Sequence, residues 1–119
     1  MESYKDLVVW QKAMLLVKEI YAIVKLLPKE EQYALSDQMR RAVVSIPSNI
    51  AEGYGRNSTN DYIRFLNIAR GSKYELDTQI QTCVMLNYIS KEKAATALEL
   101  SEEIGRMINA LVKAVGNRQ

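Results

Sequence analysis

The sequence contains no histidine, one cysteine, two prolines, one tryptophan and one phenylalanine. The missing histidine removes the commonest general base, the commonest metal ligand and the usual activator of a nucleophile. Any catalysis would have to rest on carboxylates, lysines or tyrosines, and no metal or cofactor site is expected. A single cysteine, Cys83, excludes an internal disulfide and suits a reducing compartment. No apolar run reaches the roughly 20 residues that cross a bilayer. The start Met1-Glu2-Ser3-Tyr4 lacks the basic and apolar regions of a signal peptide. These absences point to a cytoplasmic protein that makes no membrane contact.

What is present is ordinary for a globular chain: 119 residues, 48% apolar and 25% charged. The length suits one domain, 1–119, with a core of its own. Leu7 to Leu27 carries two adjacent apolar stripes. One is Trp10, Met14, Val17, Tyr21 and Val24; the other is Val9, Ala13, Leu16, Ile20, Ile23 and Leu27. That is more apolar surface than one neighbouring helix covers, so this helix is expected to be central or to meet another subunit. Pro28 ends it.

A second helix begins between Tyr33 and Ser36, with Leu35, Met39, Ala42, Val43, Ile46 and Ile50 on one face, a pattern that continues on both sides of Pro47. A proline there deletes the bond to the Val43 carbonyl and costs roughly 3 kcal/mol in a helix interior. The segment is therefore predicted as a kinked helix, with Ser45, Ser48 and Asn49 near enough to bond freed backbone groups. Gly53 and Gly55 are expected to supply left-handed stop positions. Ser58-Thr59-Asn60-Asp61 has the form of a helix start, a hydroxyl cap with an acid three residues on. The helix after it is predicted to turn Phe65, Ile68, Ala69, Ser72, Leu76, Ile80, Cys83 and Leu86 inward. Asn87 to Ser90 break the pattern. A last helix from about Lys91 to Val115 places Ala97, Leu100, Ile104, Met107, Ile108, Leu111 and Val115 on its inner face. Four amphipathic helices with short connections predict an all-α, antiparallel up-down four-helix bundle.

Charge is uneven. Between Arg40 and Tyr74 the basic residues Arg40, Arg41, Arg56, Arg64, Arg70 and Lys73 face only Glu52 and Asp61, a local excess of +4 in a chain of net +2. Guanidinium forks match phosphate oxygens, so these six are the candidate nucleic-acid contacts, with a solvated, salt-bridged surface as the alternative. Glu52 lies on the helix face of Arg41, Ser45 and Ser48, and reads as a structural ion-pair partner, for example of Arg64, more readily than as a catalytic acid. Gly53-Tyr54-Gly55 lacks the lysine pattern of a phosphate loop. Cys83 reads as a small buried side chain. Trp10, Tyr21 and Phe65 take core positions by spacing, which leaves Tyr54, Tyr62 and Tyr74 among the arginines.

The blocks "YKDLVVWQKA", "LSDQMRRAVVSIPSNIAEGYGR" and "DYIRFLNIARGSKYELDTQI" resemble the signature blocks of the 23S ribosomal RNA intervening-sequence proteins, in order and spacing, from Tyr4 to about Ile89. The last helix has no comparable motif. The resemblance implies a small bacterial up-down bundle that forms homopentamers, with no established catalytic residues. It also implies kinship with the accessory variability protein of diversity-generating retroelements, a basic pentamer that binds nucleic acid. Pro47, Asn49, Glu52 and Gly53 fall in the "SIPSNIAEG" block, where they are expected to be structural. The sequence thus predicts a non-enzymatic homo-oligomer that binds RNA or DNA, or alternatively an adaptor that docks a partner protein without touching nucleic acid.

Overall fold

The computed structural model describes residues 2–118. Four helices follow one another: α1 (Val8–Val24), α2 (Leu35–Tyr54), α3 (Thr59–Met85) and α4 (Lys91–Gly116). Short 3-10 turns occupy Tyr4–Asp6 and Lys29–Glu31, and the described residues form no strand. Each helix packs on the next and α4 returns to α1, while the diagonal pairs stay apart. The pairing of α3 with α4 runs antiparallel, since Arg70 meets Asn109 and Asp77 meets Ser101. The result is an up-down four-helix bundle, 47 × 25 × 21 Å.

Local chemistry sets the helix ends. Ser58 caps α3 by accepting the Asp61 amide at 3.1 Å, and Ser90 caps α4 by accepting that of Lys93 at 3.1 Å. Asn87, the one non-glycine residue at positive φ (63°) among those described, closes α3. The Tyr88 amide bonds the Cys83 carbonyl at 2.8 Å and the Asn87 amide that of Val84 at 3.0 Å, a Schellman stop. The α2 end differs from its sequence reading. No glycine has positive φ; α2 runs through Gly53 to Tyr54, and the Gly55 amide bonds the Ala51 carbonyl in right-handed geometry. Gly53 is needed for a different reason. A Cβ there would lie 3.0 Å from the Phe65 Cβ and 3.1 Å from the Tyr62 carbonyl oxygen, so its bare backbone lets α2 and α3 touch.

α2 continues unbroken through Pro47, which is buried. Asn49 donates its side-chain amide to the Ser45 carbonyl at 2.8 Å and to the Ser45 hydroxyl at 2.9 Å, and that hydroxyl meets Ser72 of α3 at 2.8 Å. Polar bonds thus stitch the proline turn to its neighbour, although Asn49 takes the Ser45 carbonyl and not the Val43 one that proline frees. Ser48 is exposed and stays out of this network.

The core follows the predicted stripes of α1, α2 and α4, including fully buried Leu16, Ile20, Ile46, Ile50, Ile104 and Ile108. In α3 the inward row keeps the predicted Ala69, Leu76, Ile80 and Cys83 but departs from the prediction elsewhere, with Leu86 exposed. It runs Tyr62, Leu66, Ala69, Lys73, Leu76, Ile80, Cys83, while Ile68 is exposed and Phe65 is half-buried. Cys83 is enclosed, with its sulfur 3.5 Å from that of Met39. Burial, followed by the charge of Glu31, pushes its thiol up to about 11, which leaves it an unreactive core residue. No described helix is long and apolar enough to cross a membrane.

Candidate functional site

The six candidate basic residues do not share one surface. Arg41 and Arg56 lie towards opposite ends of α2, roughly 20 Å apart at about 1.5 Å per residue, and the Ser45–Ser72 contact fixes the register that puts Arg64 of α3 at the Arg56 end. Arg40 and Arg41 border a hollow between α1 and α2. Asp37 lies 3.9 Å from Arg40 and 3.3 Å from Arg41, and Arg40 also donates to the Gln32 carbonyl at 3.3 Å. At the opposite end Arg56 and Arg64 flank Phe65, their guanidinium carbons 4.7 and 4.5 Å from the ring centroid. Arg56 pairs with Glu52 at 3.6 Å, and Arg64 pairs with Asp61 at 3.5 Å. Glu52 is thus the exposed partner of a residue just past the end of its own helix, and the pairing of Glu52 with Arg64 does not form. Arg70 turns toward α4 and donates to Asn109 at 2.8 Å.

Lys73 leaves the candidate surface altogether. It is 7% exposed, held 3.0 Å from Asp77, which in turn accepts the hydroxyl of fully buried Ser101 at 2.5 Å. Its stem lies over Gly105, where an added Cβ would stand 3.0 Å from Lys73 Cε. A buried ammonium with its own carboxylate joins α3 to α4; it does not reach for phosphate. The aromatic assignments shift as well. Tyr62 is buried, whereas Tyr21 is exposed, as is Tyr74, whose ring lies 4.3 Å from the Lys73 ammonium.

The α1 stripe of Trp10, Met14, Val17 and Tyr21 has another fate. Val9, Ala13, Leu16, Ile20 and Ile23 are buried, but Met14 and Tyr21 remain 43% and 42% exposed, and Trp10 and Val17 are half-covered. With Val44 of α2 these residues border two adjoining hollows, of about 320 and 440 Å³, that share Val44 and Ser48. The bundle therefore keeps an apolar groove along one face, with Arg40 and Arg41 at its end. No group of three histidine, cysteine, aspartate or glutamate residues converges to hold a metal among the described residues.

The profile of the 23S rRNA-intervening sequence proteins matches residues 5–110 of this chain. The chain belongs to that family. The match takes in all of α1, α2 and α3 and most of α4, so it extends the likeness read from the first three helices. Among solved structures, the chain is similar to a Bacteroides thetaiotaomicron protein of unknown function from the S23 ribosomal protein family. The two share 26% identity over 88% of this chain and 98% of that one, with a TM-score of 0.82. No curated protein matches the chain. Family membership accounts for the bundle and leaves the activity to be argued from the surface.

Proposed function

We propose that this family member is a non-enzymatic, self-associating scaffold whose copies meet through the α1–α2 groove and whose exposed arginines contact nucleic acid. The observation that carries the reading is the groove. Met14, Tyr21 and Val44 lie exposed beside half-covered Trp10 and Val17 along adjoining hollows, a contiguous apolar patch of the kind that marks an association surface. A second copy, repeated around a cycle, supplies that cover. The arginine contacts follow from the weakness of their present partners. Arg41 and Arg64 are held by exposed carboxylates within their own helices, pairs worth about 0–1 kcal/mol, which a phosphate chain can replace.

Light scattering at micromolar concentration is expected to give a multiple of 13.6 kDa, with five copies the stoichiometry to look for. Met14→Glu with Tyr21→Glu should return the monomer mass with helicity intact. A wild-type chain that runs as a monomer overturns the assembly.

The nucleic-acid part has its own measurement. RNA retention should fall steeply between roughly 50 and 200 mM salt, and Arg41→Glu with Arg64→Glu should weaken it for every sequence, because phosphate contacts carry no base information. One observation favours a second reading, an adaptor that docks a partner protein: Arg40, Arg41, Arg56 and Arg64 each already have a carboxylate nearby. If the unmodified chain keeps no RNA at low salt, the adaptor reading replaces the first.

A further inference from the structure

The end of the bundle where α2 passes into α3 carries a recess of about 360 Å³ that neither the apolar groove nor the exposed ion pairs explain. Its walls come from three elements: Tyr54 and Arg56 at the end of α2, Ser58, Thr59 and Tyr62 at the start of α3, and Arg118 just past α4. We propose that this recess binds a phosphate monoester, seated between the Arg56 and Arg118 guanidiniums and the first turn of α3.

Four features converge on that chemistry. First, α3 presents its amino end here. Ser58 occupies the Asp61 amide and its carbonyl takes that of Tyr62, which leaves the Thr59 amide and the positive end of a long helix directed outward. Second, two guanidiniums from different elements line one cavity; Arg56 is shared with exposed Glu52 at 3.6 Å, and Arg118 has no acidic partner among the described residues. Third, Tyr62 is 8% exposed, yet its hydroxyl has no hydrogen-bond partner among the described residues and its side chain lines the recess. The hydroxyl itself reaches solvent, so it can exchange water for a phosphate oxygen. Burial pushes this phenol up and the Arg118 charge, from the same recess, works against that rise. Fourth, the nearby acceptors are already covered. The α4 carbonyls of Lys113 and Val115 take the Asn117 and Arg118 amides, and Asp61 is turned to Arg64.

A phosphate monoester fits better than a diester. Its charge of about −1.5 to −2 at neutral pH attracts the Arg118 guanidinium and draws that of Arg56 from its exposed Glu52 partner, and its three terminal oxygens use several donors at once. Tyr54 and Tyr62, in edge contact with ring centroids 6.3 Å apart, help wall the recess beside the two arginines. The phosphate could therefore belong to a mononucleotide or to the 5′ end of a nucleic-acid strand. The proposal does not rest on the arginine surface at Arg41 and Arg64.

Calorimetric titration of the full chain at low salt tests it, using adenosine 5′-monophosphate against adenosine, and a short 5′-phosphorylated RNA against its 5′-hydroxyl form. Binding is expected only for the phosphorylated member of at least one pair. Arg118→Ala should weaken it about tenfold or more, and Tyr62→Phe several-fold, both with unchanged thermal midpoints. A nucleotide bound as tightly as the phosphorylated strand assigns the recess to free nucleotides; a strand bound much more tightly assigns it to strand ends. The Arg41→Glu, Arg64→Glu variant should keep this phosphate preference even where general RNA affinity is lost, which separates the two proposals. Equal binding of phosphorylated and unphosphorylated partners in both pairs, or indifference to both Arg118→Ala and Tyr62→Phe, overturns it.

Discussion

Alanine in place of Asp77 should lower stability by about 3–5 kcal/mol, because it strands the Lys73 ammonium inside the bundle without its carboxylate. Lys73 and Asp77 side chains are only 9% and 17% exposed, and the pair is 3.0 Å apart. Asp77 also receives the Ser101 hydroxyl, so its removal unpairs two donors, one of them charged. Ser101→Ala should cost less, about 1–3 kcal/mol, since it deletes a neutral donor and leaves the ion pair in place. A double change of Lys73→Met with Asp77→Leu tests the logic further. It replaces the pair with apolar groups of similar volume and should recover most of the loss, because the attraction of a buried pair largely offsets its own desolvation. Urea titration gives the measurement, with a shifted midpoint and a constant slope. A loss under 1 kcal/mol for Asp77→Ala would mean that Lys73 swings out to water, and the clasp between α3 and α4 would lose its stated role.

That clasp marks where sequence reading stopped. In α1, α2 and α4 the apolar residues recur at helical spacing without interruption, so bundle, helix order and most of the core were legible. In α3 the inward row contains a lysine. With Lys73 counted as surface, the predicted stripe takes in Phe65 and Ile68 at its start, while Ala69, Leu76, Ile80 and Cys83 stay on it. The signal that could have corrected it was present: Leu66, Ala69, Leu76, Ile80 and Cys83 alone define the row, and position 73 falls on it. Asp77, one turn beyond Lys73, marks a ready partner. The arginine cluster illustrates a different limit. Net charge over a segment carries no information on face or level, and the chain distributes its arginines between two ends and two sides. Arg118 went unnoticed because it lies beyond the last periodic residue, and only tertiary structure brings it to Arg56 and Tyr62. The apolar groove was legible as uncovered surface, since the double stripe of α1 carries more apolar area than one neighbouring helix can cover.

Two glycines should respond to alanine with opposite signs, and the contrast isolates what Gly53 does. Both stand inside helices, so alanine gains roughly 0.8–1 kcal/mol of helix propensity at either place. At Gly71 an added Cβ meets nothing within 4 Å, and that gain should appear almost whole, raising the thermal midpoint by a few degrees. At Gly53 the new methyl would stand 3.0 Å from Phe65 Cβ and 3.1 Å from the Tyr62 carbonyl oxygen. Neither neighbour is the free end of a flexible chain, so α2 and α3 must part, at a cost of about 1–3 kcal/mol. The overpacking outweighs the propensity, and Gly53→Ala should lower stability by about 1–2 kcal/mol net. The separation would also shift Phe65, the ring on which Arg56 and Arg64 rest, and Tyr62 in the wall of the recess. Loss of stability should therefore be accompanied by weaker nucleotide binding in Gly53→Ala and by none in Gly71→Ala. Equal gains at both positions in a thermal melt would show that the α2–α3 crossing has slack, and Gly53 would then be a tolerated residue of its helix.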